Sequence, residues 1–227
     1  MVKIKFIILF LLLLSVPSFG QTNKNLVDSS SIKRNRIKVS PLRVIRIEYP
    51  GLELSYERLI GKRFSTEISV RYLKELIIQN YQAYQGFGFS IQEKYFLTQR
   101  QVLKPYISGE LVFNKFKAGD TGIFGYKNPL KDTIAYSYNY HEDYTLNKQT
   151  MSLNIGFGVQ LIFAKKISID LNAGLGLKYR KVTHTDRSIP KDEMEMPRHP
   201  NLEYSSTKEG TYYTPNFALN IKIGYVF

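Results

Sequence analysis

Asn216–Phe227 reads NFALNIKIGYVF. Every second residue from Phe217 is apolar or aromatic: Phe217, Leu219, Ile221, Ile223, Tyr225 and Phe227. The alternate set, Asn216, Ala218, Asn220, Lys222, Gly224 and Val226, is polar or small until its last member. A period of two marks a strand whose two faces meet different surroundings. Both a soluble sandwich and a membrane barrel produce such a strand, so the rest of the chain must decide between them.

The final strand resembles the C-terminal signal of bacterial outer-membrane β-barrels. In that signal a terminal Phe follows an aromatic two residues earlier, with apolar residues at alternate positions before it. Leu219, Ile221, Ile223, Tyr225 and Phe227 match it position by position. The resemblance implies that this segment is read by the barrel assembly machinery and becomes the closing strand.

The other end of the chain agrees. Lys3 and Lys5 precede an unbroken apolar run from Phe6 to Leu14, and Ser18 and Gly20 are small. The pattern predicts a cleaved signal peptide over 1–20, because the run is shorter than the ~20 apolar residues of a membrane helix. Residues 21–35 are polar and predict a disordered periplasmic lead. The chain has 227 residues and no cysteine. That excludes disulfides and thiol chemistry, and the absence of cysteine at the cleavage site excludes a lipoprotein anchor. No later stretch is long enough for a membrane helix, so a membrane location requires a barrel.

Between the ends, the alternation repeats. Leu52, Leu54 and Tyr56 alternate with Glu53, Ser55 and Glu57; Thr66, Ile68, Val70 and Tyr72 alternate with Ser65, Glu67, Ser69 and Arg71. Gly86–Phe96 and the stretch from Pro105 follow, then the two clearest strands, Met151–Phe163 and Ile167–Arg180. The noisiest strand is the first, Ile37–Tyr49, which needs a bulge near Pro41 and ends in a Pro50–Gly51 turn. Glu93 breaks the apolar face of its strand, which predicts a second bulge or an interfacial position. Eight strands result, with long outer loops at 118–148 and 183–211. The expected fold is an all-β, eight-stranded antiparallel up-and-down transmembrane barrel over 36–227, with both termini periplasmic. Such a chain resembles the small OmpA/OmpX-like outer-membrane proteins, and more narrowly the β-barrel proteins of Bacteroidota. That resemblance implies a fold and a location, and no shared activity.

In this reading Glu53, Glu57, Glu67, Glu110 and Asp170 face the lumen with Arg71, Lys178, Arg180 and Lys222. Eight strands leave an interior that side chains fill, so these charges form a paired plug. The expected role is structural or surface contact. Tyr136, Tyr138 and Tyr140 are the candidate contact residues, for an extracellular glycan or protein, because Tyr offers stacking area and a hydroxyl. No cofactor, metal or nucleic acid is expected. The histidines His141, His184 and His199 lack ligand spacing. Two alternatives stay open: a lipid-modifying enzyme using loop His with Ser137 or Ser188 and nearby acids, and a narrow ion or solute channel.

The formal net charge is +13. The two long loops are net acidic, so the excess lies in the lead and in the short turns (Lys62, Arg63, Arg100, Lys104, Lys165, Lys166). Outer-membrane lipids are therefore the expected partners, with this rim holding inner-leaflet headgroups. Changing Lys165 and Lys166 to Glu should weaken assembly, seen as reduced heat-modifiability on gels. An unaltered shift would count against a basic periplasmic rim.

Overall fold

The computed structural model describes residues 34–41, 51–74, 82–98, 102–127, 136–164, 166–188, 193–194 and 208–227. The signal peptide, nearly all of the lead, residues 42–50, Arg100, Lys165 and His199 lie outside these residues.

Nine strands run in chain order. They are β1 (Asn35–Val39), β2 (Gly51–Ile60), β3 (Phe64–Lys74), β4 (Gln82–Phe96), β5 (Leu103–Lys127), β6 (Tyr136–Phe163), β7 (Ile167–Thr185), β8 (Glu193–Met194) and β9 (Gly210–Val226). Each of β1 to β7 is antiparallel to the next, β7 pairs with β9, and β9 returns to β1. The result is a closed ring of eight up-and-down strands. Two-residue β8 lies outside the ring, paired with Phe124 and Gly125 of β5. Closure leaves the ring without a free edge.

The direction of the side chains decides between the two readings of the alternation. Asp170 is 3% exposed and its neighbour Leu171 is 41% exposed. Phe217 and Leu219 reach 74% and 64%. On β2 the faces alternate without a break: Glu53, Ser55 and Glu57 are buried, while Leu52, Leu54 and Tyr56 are exposed. The greasy residues clothe the outside and the polar ones fill the middle, opposite to a soluble barrel.

The ring is staggered. Following paired residues from Arg36 through Glu57, Glu67, Gln92, Glu110, Asn154 and Gly176 leads to Asn216. Arg36 itself pairs with Val226, ten positions further on. Such a stagger tilts the strands against the barrel axis. The seam is short: four register pairs join β1 to β9. Mutual backbone bonds between Asn35 and Phe227, of 3.1 and 2.9 Å, extend it. So does the Ser40 hydroxyl, which donates to the Ile221 carbonyl at 3.0 Å.

Four expectations have a structural outcome. The first is the Pro50–Gly51 turn. Gly51 already belongs to β2 and pairs with Leu73. A Cβ there would lie 2.2 Å from the Tyr72 carbonyl oxygen, so this glycine permits close approach between strands. The second is the first strand: β1 runs to Val39, the Ser40 N–H still reaches the Glu53 carbonyl at 3.3 Å, and the expected continuation to Tyr49 lies outside the described residues. The third is Glu93, which pairs in register with Thr66 and Gly109 on the exposed face; this excludes the bulge and not the interfacial position. The irregularity of β4 lies at Gln82/Gln85 instead. The fourth concerns the long loops. Residues 118–127 and 136–148 continue β5 and β6 as a ladder, and β7 runs on to Thr185.

The alternation of Tyr136–Tyr140 already suggests an extended hairpin; the rest of the extension is hard to read because the faces exchange character. Below the change, β5 turns Ile107 and Phe113 outward and Ser108, Glu110 and Asn114 inward; beyond it, Lys115 and Lys117 are exposed while Phe116 and Ala118 are buried. β7 switches likewise, from exposed Leu175 and Leu177 to exposed Lys181 over buried Val182.

Close packing of ladders around glycine yields a testable pair. A Cβ on Gly176 would sit 2.0 Å from the Leu153 carbonyl oxygen, whereas one on Gly109 meets nothing within 4 Å. Gly176→Val should cost at least the upper end of about 1–3 kcal/mol for overpacking, measured by urea unfolding of the refolded barrel. Gly109→Ala should leave the midpoint where it is.

Candidate functional site: an ionic plug in the barrel

The inward faces place one connected set of ion pairs across the interior. Glu67 on β3 receives the ammonium groups of Lys38 (2.8 Å), Lys94 (2.6 Å) and Lys222 (2.5 Å). Asp170 on β7 receives Lys38 and Lys94 at 2.5 Å each. Glu57 on β2 pairs with Lys38 at 2.7 Å and with Arg36 at 3.2 Å. Lys222 reaches on to Glu53 at 2.7 Å, Glu53 meets Arg71 at 2.6 Å, and Arg71 meets Glu110 at 3.5 Å. Five acids therefore face five cations, and the network is electrically neutral. A neutral, connected arrangement is what the cost of burying charge requires.

Hydrogen bonds complete it. Tyr106 donates its hydroxyl to Asp170 at 2.5 Å, Ser65 donates to Glu57 at 2.6 Å, and the Arg71 guanidinium donates to Ser90 at 2.8 Å. The eighth strand, β6, enters through side-chain amides. Gln160 donates to Glu57 at 2.9 Å and Asn154 to Glu110 at 3.2 Å. Tyr106 lies over Gly158, where a Cβ would come within 2.3 Å of its ring. Glycine at 158 is thus what lets the phenol reach Asp170.

Apolar layers close the polar core at both ends. Leu59, Phe96 and Tyr106 form the floor at the short-turn end. Leu73, Phe116, Ala118, Phe124, Tyr144, Leu146 and Val182 form the cap at the extended end. Above the cap, the Arg187 guanidinium lies 3.9 Å from the Phe124 ring centre. Glu142 pairs with that guanidinium at 3.6 Å and accepts the Ser188 backbone N–H.

Each residue expected in the lumen has a definite place. Glu53, Glu57, Glu67, Arg71, Glu110, Asp170 and Lys222 belong to the network. Arg180 is buried higher up, its guanidinium 5.1 Å from the Tyr212 ring, and Lys178 is half-buried on the same face. Both stand eight or more residues along β7 from Asp170, roughly 25–35 Å of strand. Arg36, Lys38, Lys94 and Tyr106 were not among the expected residues. Lys38 lies between outward Ile37 and Val39, in a strand too short for that signal to stand out, and Glu93 beside Lys94 interrupts the alternation there.

Other expected site residues fall outside the plug. Leu219, Ile223, Tyr225 and Phe227 are exposed on the outer face of β9, with Ile221 half-exposed. Tyr140 is half-buried and packs against the cap, 6.3 Å from the Phe124 ring, so part of its surface is used internally rather than for contact. Tyr136 and Tyr138 lie in β6, but their side chains are outside the described residues. The His184 ring packs against Tyr144, tilted at 48° with the ring centres 4.4 Å apart, and His141 is exposed.

Glu57, Glu67 and Asp170 present oxygen atoms within 4.8 Å of one another, the kind of spacing a cation site uses. Here the Lys38 and Lys94 ammonium groups already pair with all three carboxylates. The chemistry of this donor set is charge compensation by lysine.

Glu67→Gln would leave three ammonium groups short of one carboxylate. A loss of roughly 3–5 kcal/mol is expected for breaking such a buried cluster, read from urea unfolding in detergent. Glu93→Gln, on the exposed face, should shift the midpoint little. Equal effects from the two variants would refute the plug's structural weight.

No family model matches this chain, and no curated protein matches it. Among solved structures it is similar to Neisserial surface protein A (NspA), at 10% identity over 85% of this chain and 96% of that one, with a TM-score of 0.39.

Proposed function

We propose that the chain is an integral outer-membrane barrel with a sealed lumen. In this reading it acts as a structural or surface-contact protein and catalyses no reaction. The observation that carries the proposal is the inversion of the faces. Leu, Ile, Val and Phe cover the outer surface of the ring, while Glu, Lys, Arg, Ser and Asn fill it. A soluble monomer rarely exposes a continuous apolar patch larger than a few hundred Å². In a bilayer that surface is the requirement.

The dimensions support the same setting. On β7 the outward apolar run spans Ile167 to Tyr179. With a tilt near 40°, that run rises roughly 30 Å, against the ~25 Å band of known membrane barrels. Aromatic residues flank the band. Phe64, Tyr95, Tyr225 and Phe227 lie at the short-turn end; Tyr72, Phe87, Tyr179 and Tyr213 lie at the other. We assign the short turns and both termini to the periplasm and the extended ladder of β5, β6 and β7 to the outside, as short inner turns and long outer segments are the rule.

The plug argues for the structural role over the channel. An ionic core between two apolar layers offers no continuous wet path. On the enzyme alternative, His184 packs against the Tyr144 and Phe124 rings and Ser188 offers its backbone N–H to Glu142.

Leu175→Arg tests the setting. On a lipid-facing surface this change costs about 2–4 kcal/mol near the midplane and falls toward the interfaces; on a water-facing surface it is neutral or favourable. Lower folding yield into vesicles, with recovery of the parent protein in the outer-membrane fraction, is the expected result. A soluble parent protein whose stability is unmoved by Leu175→Arg would end the proposal.

A further inference from the structure

Four lysines stand together on the outward face directly beyond the apolar band, at the end with the extended ladder. Lys74, Gln85, Lys117 and Asn147 are successive partners across β3, β4, β5 and β6. Lys115, Gln149 and Lys181 are successive partners across β5, β6 and β7. All four lysines are exposed. The stagger of the ring lifts each paired row by a little over one residue per strand. Lys74 and Lys115 therefore share one level, with Lys117 and Lys181 about 7 Å above it. The patch is roughly 19 Å wide.

Its boundaries are chemically sharp. Two residues below these lysines lie Tyr72, Phe113 and Tyr179, the rim of the band. No carboxylate sits among the paired residues of the patch. Asp120, Glu142 and Asp143 stand further out and are engaged with Tyr144, with Arg187 and Ser188, and with Thr121. Glu209 borders the patch and accepts the His184 backbone N–H at 3.3 Å. Among the described residues, positive charge is thus concentrated at the level where a bilayer's polar heads begin, with Glu209 at its border and the other carboxylates of this end further out.

We infer that Lys74, Lys115, Lys117 and Lys181 bind the phosphates of a phosphorylated glycolipid headgroup in the outer leaflet. Gln85, Gln149 and Asn147 supply amide donors between the ammonium groups. The inference rests on the membrane setting proposed above. Each part of the ligand has a counterpart: acyl chains against the apolar band, phosphates at the lysines, and sugar hydroxyls at the amides. Ammonium groups on one strand or two strands apart, on flexible stems, can converge on one phosphate.

The experiment uses the full mature chain in phosphatidylcholine discs, titrated with bisphosphorylated lipopolysaccharide and with its phosphatase-treated form. Binding is read by native mass spectrometry and by the heat-modifiability midpoint. The phosphorylated lipid should bind and raise the midpoint, and the treated form should not. Binding by the combined variant K74Q/K115Q/K117Q/K181Q should fall at least tenfold, while R58Q, on the outward face at the opposite end, should bind as the parent does. Parental binding by the quadruple variant would overturn the inference, and so would equal loss in both variants. Displacement of the lipid by a soluble anionic glycan would also overturn it. A chain that fails to enter discs at all defeats the membrane setting itself, a different outcome from a barrel that inserts and ignores phosphate.

Discussion

The fold depends on a rule of electrostatics: a charge removed from water must be matched at close range. The inside of this ring holds Glu53, Glu57, Glu67, Glu110 and Asp170, and none of them could be there without Arg36, Lys38, Arg71, Lys94 and Lys222. The ten come from seven of the eight strands, and β6 contributes amides. A conventional core holds elements together through non-directional burial of apolar area. Here the apolar area lies on the outside, and directional contacts at fixed distances hold the centre. This division explains the uncommon density of buried lysine and glutamate, residues almost never fully buried unless paired.

The same division organises the molecule along its axis. Floor, ionic core and apolar cap follow one another inside the ring. Outside it, the apolar band gives way to lysines and amides where the inner face turns apolar at Phe116, Leu146 and Val182. Beyond this change the ladder of β5, β6 and β7 has the polarity of an ordinary soluble sheet, with its greasy face covered and its polar face wet. Two opposite patterns are thus written into continuous strands, one for each solvent.

Much of this was legible from residue alternation. The strands β2, β3, β6, β7 and β9 were evident because their apolar faces are nearly pure, and the inward acids followed from parity. Two features hid the rest. β1 has only five residues before Pro41, too few for a period of two to stand out, so Arg36 and Lys38 were passed over. In β5 and β6 the period persists past Lys115 and Gln149 while its sign reverses. A reading tuned to an outward apolar face takes that reversal for a loop. The Pro50–Gly51 pair misled for a local reason. Glycine beside proline usually signals a turn, but Gly51 is small because Tyr72 of the neighbouring strand passes so near.

The seam between β1 and β9 has a consequence for how the ring forms. Lys38 and Lys222 lie on the two strands that must find each other last, nearly the whole chain apart, and both clasp Glu67 on β3. A slip of one residue at the seam would turn Lys38 to the apolar outer face and Ile37 toward three carboxylates. Misaligned closure is therefore penalised on both faces at once. The charged centre thus fits one alignment of the seam and no neighbouring one.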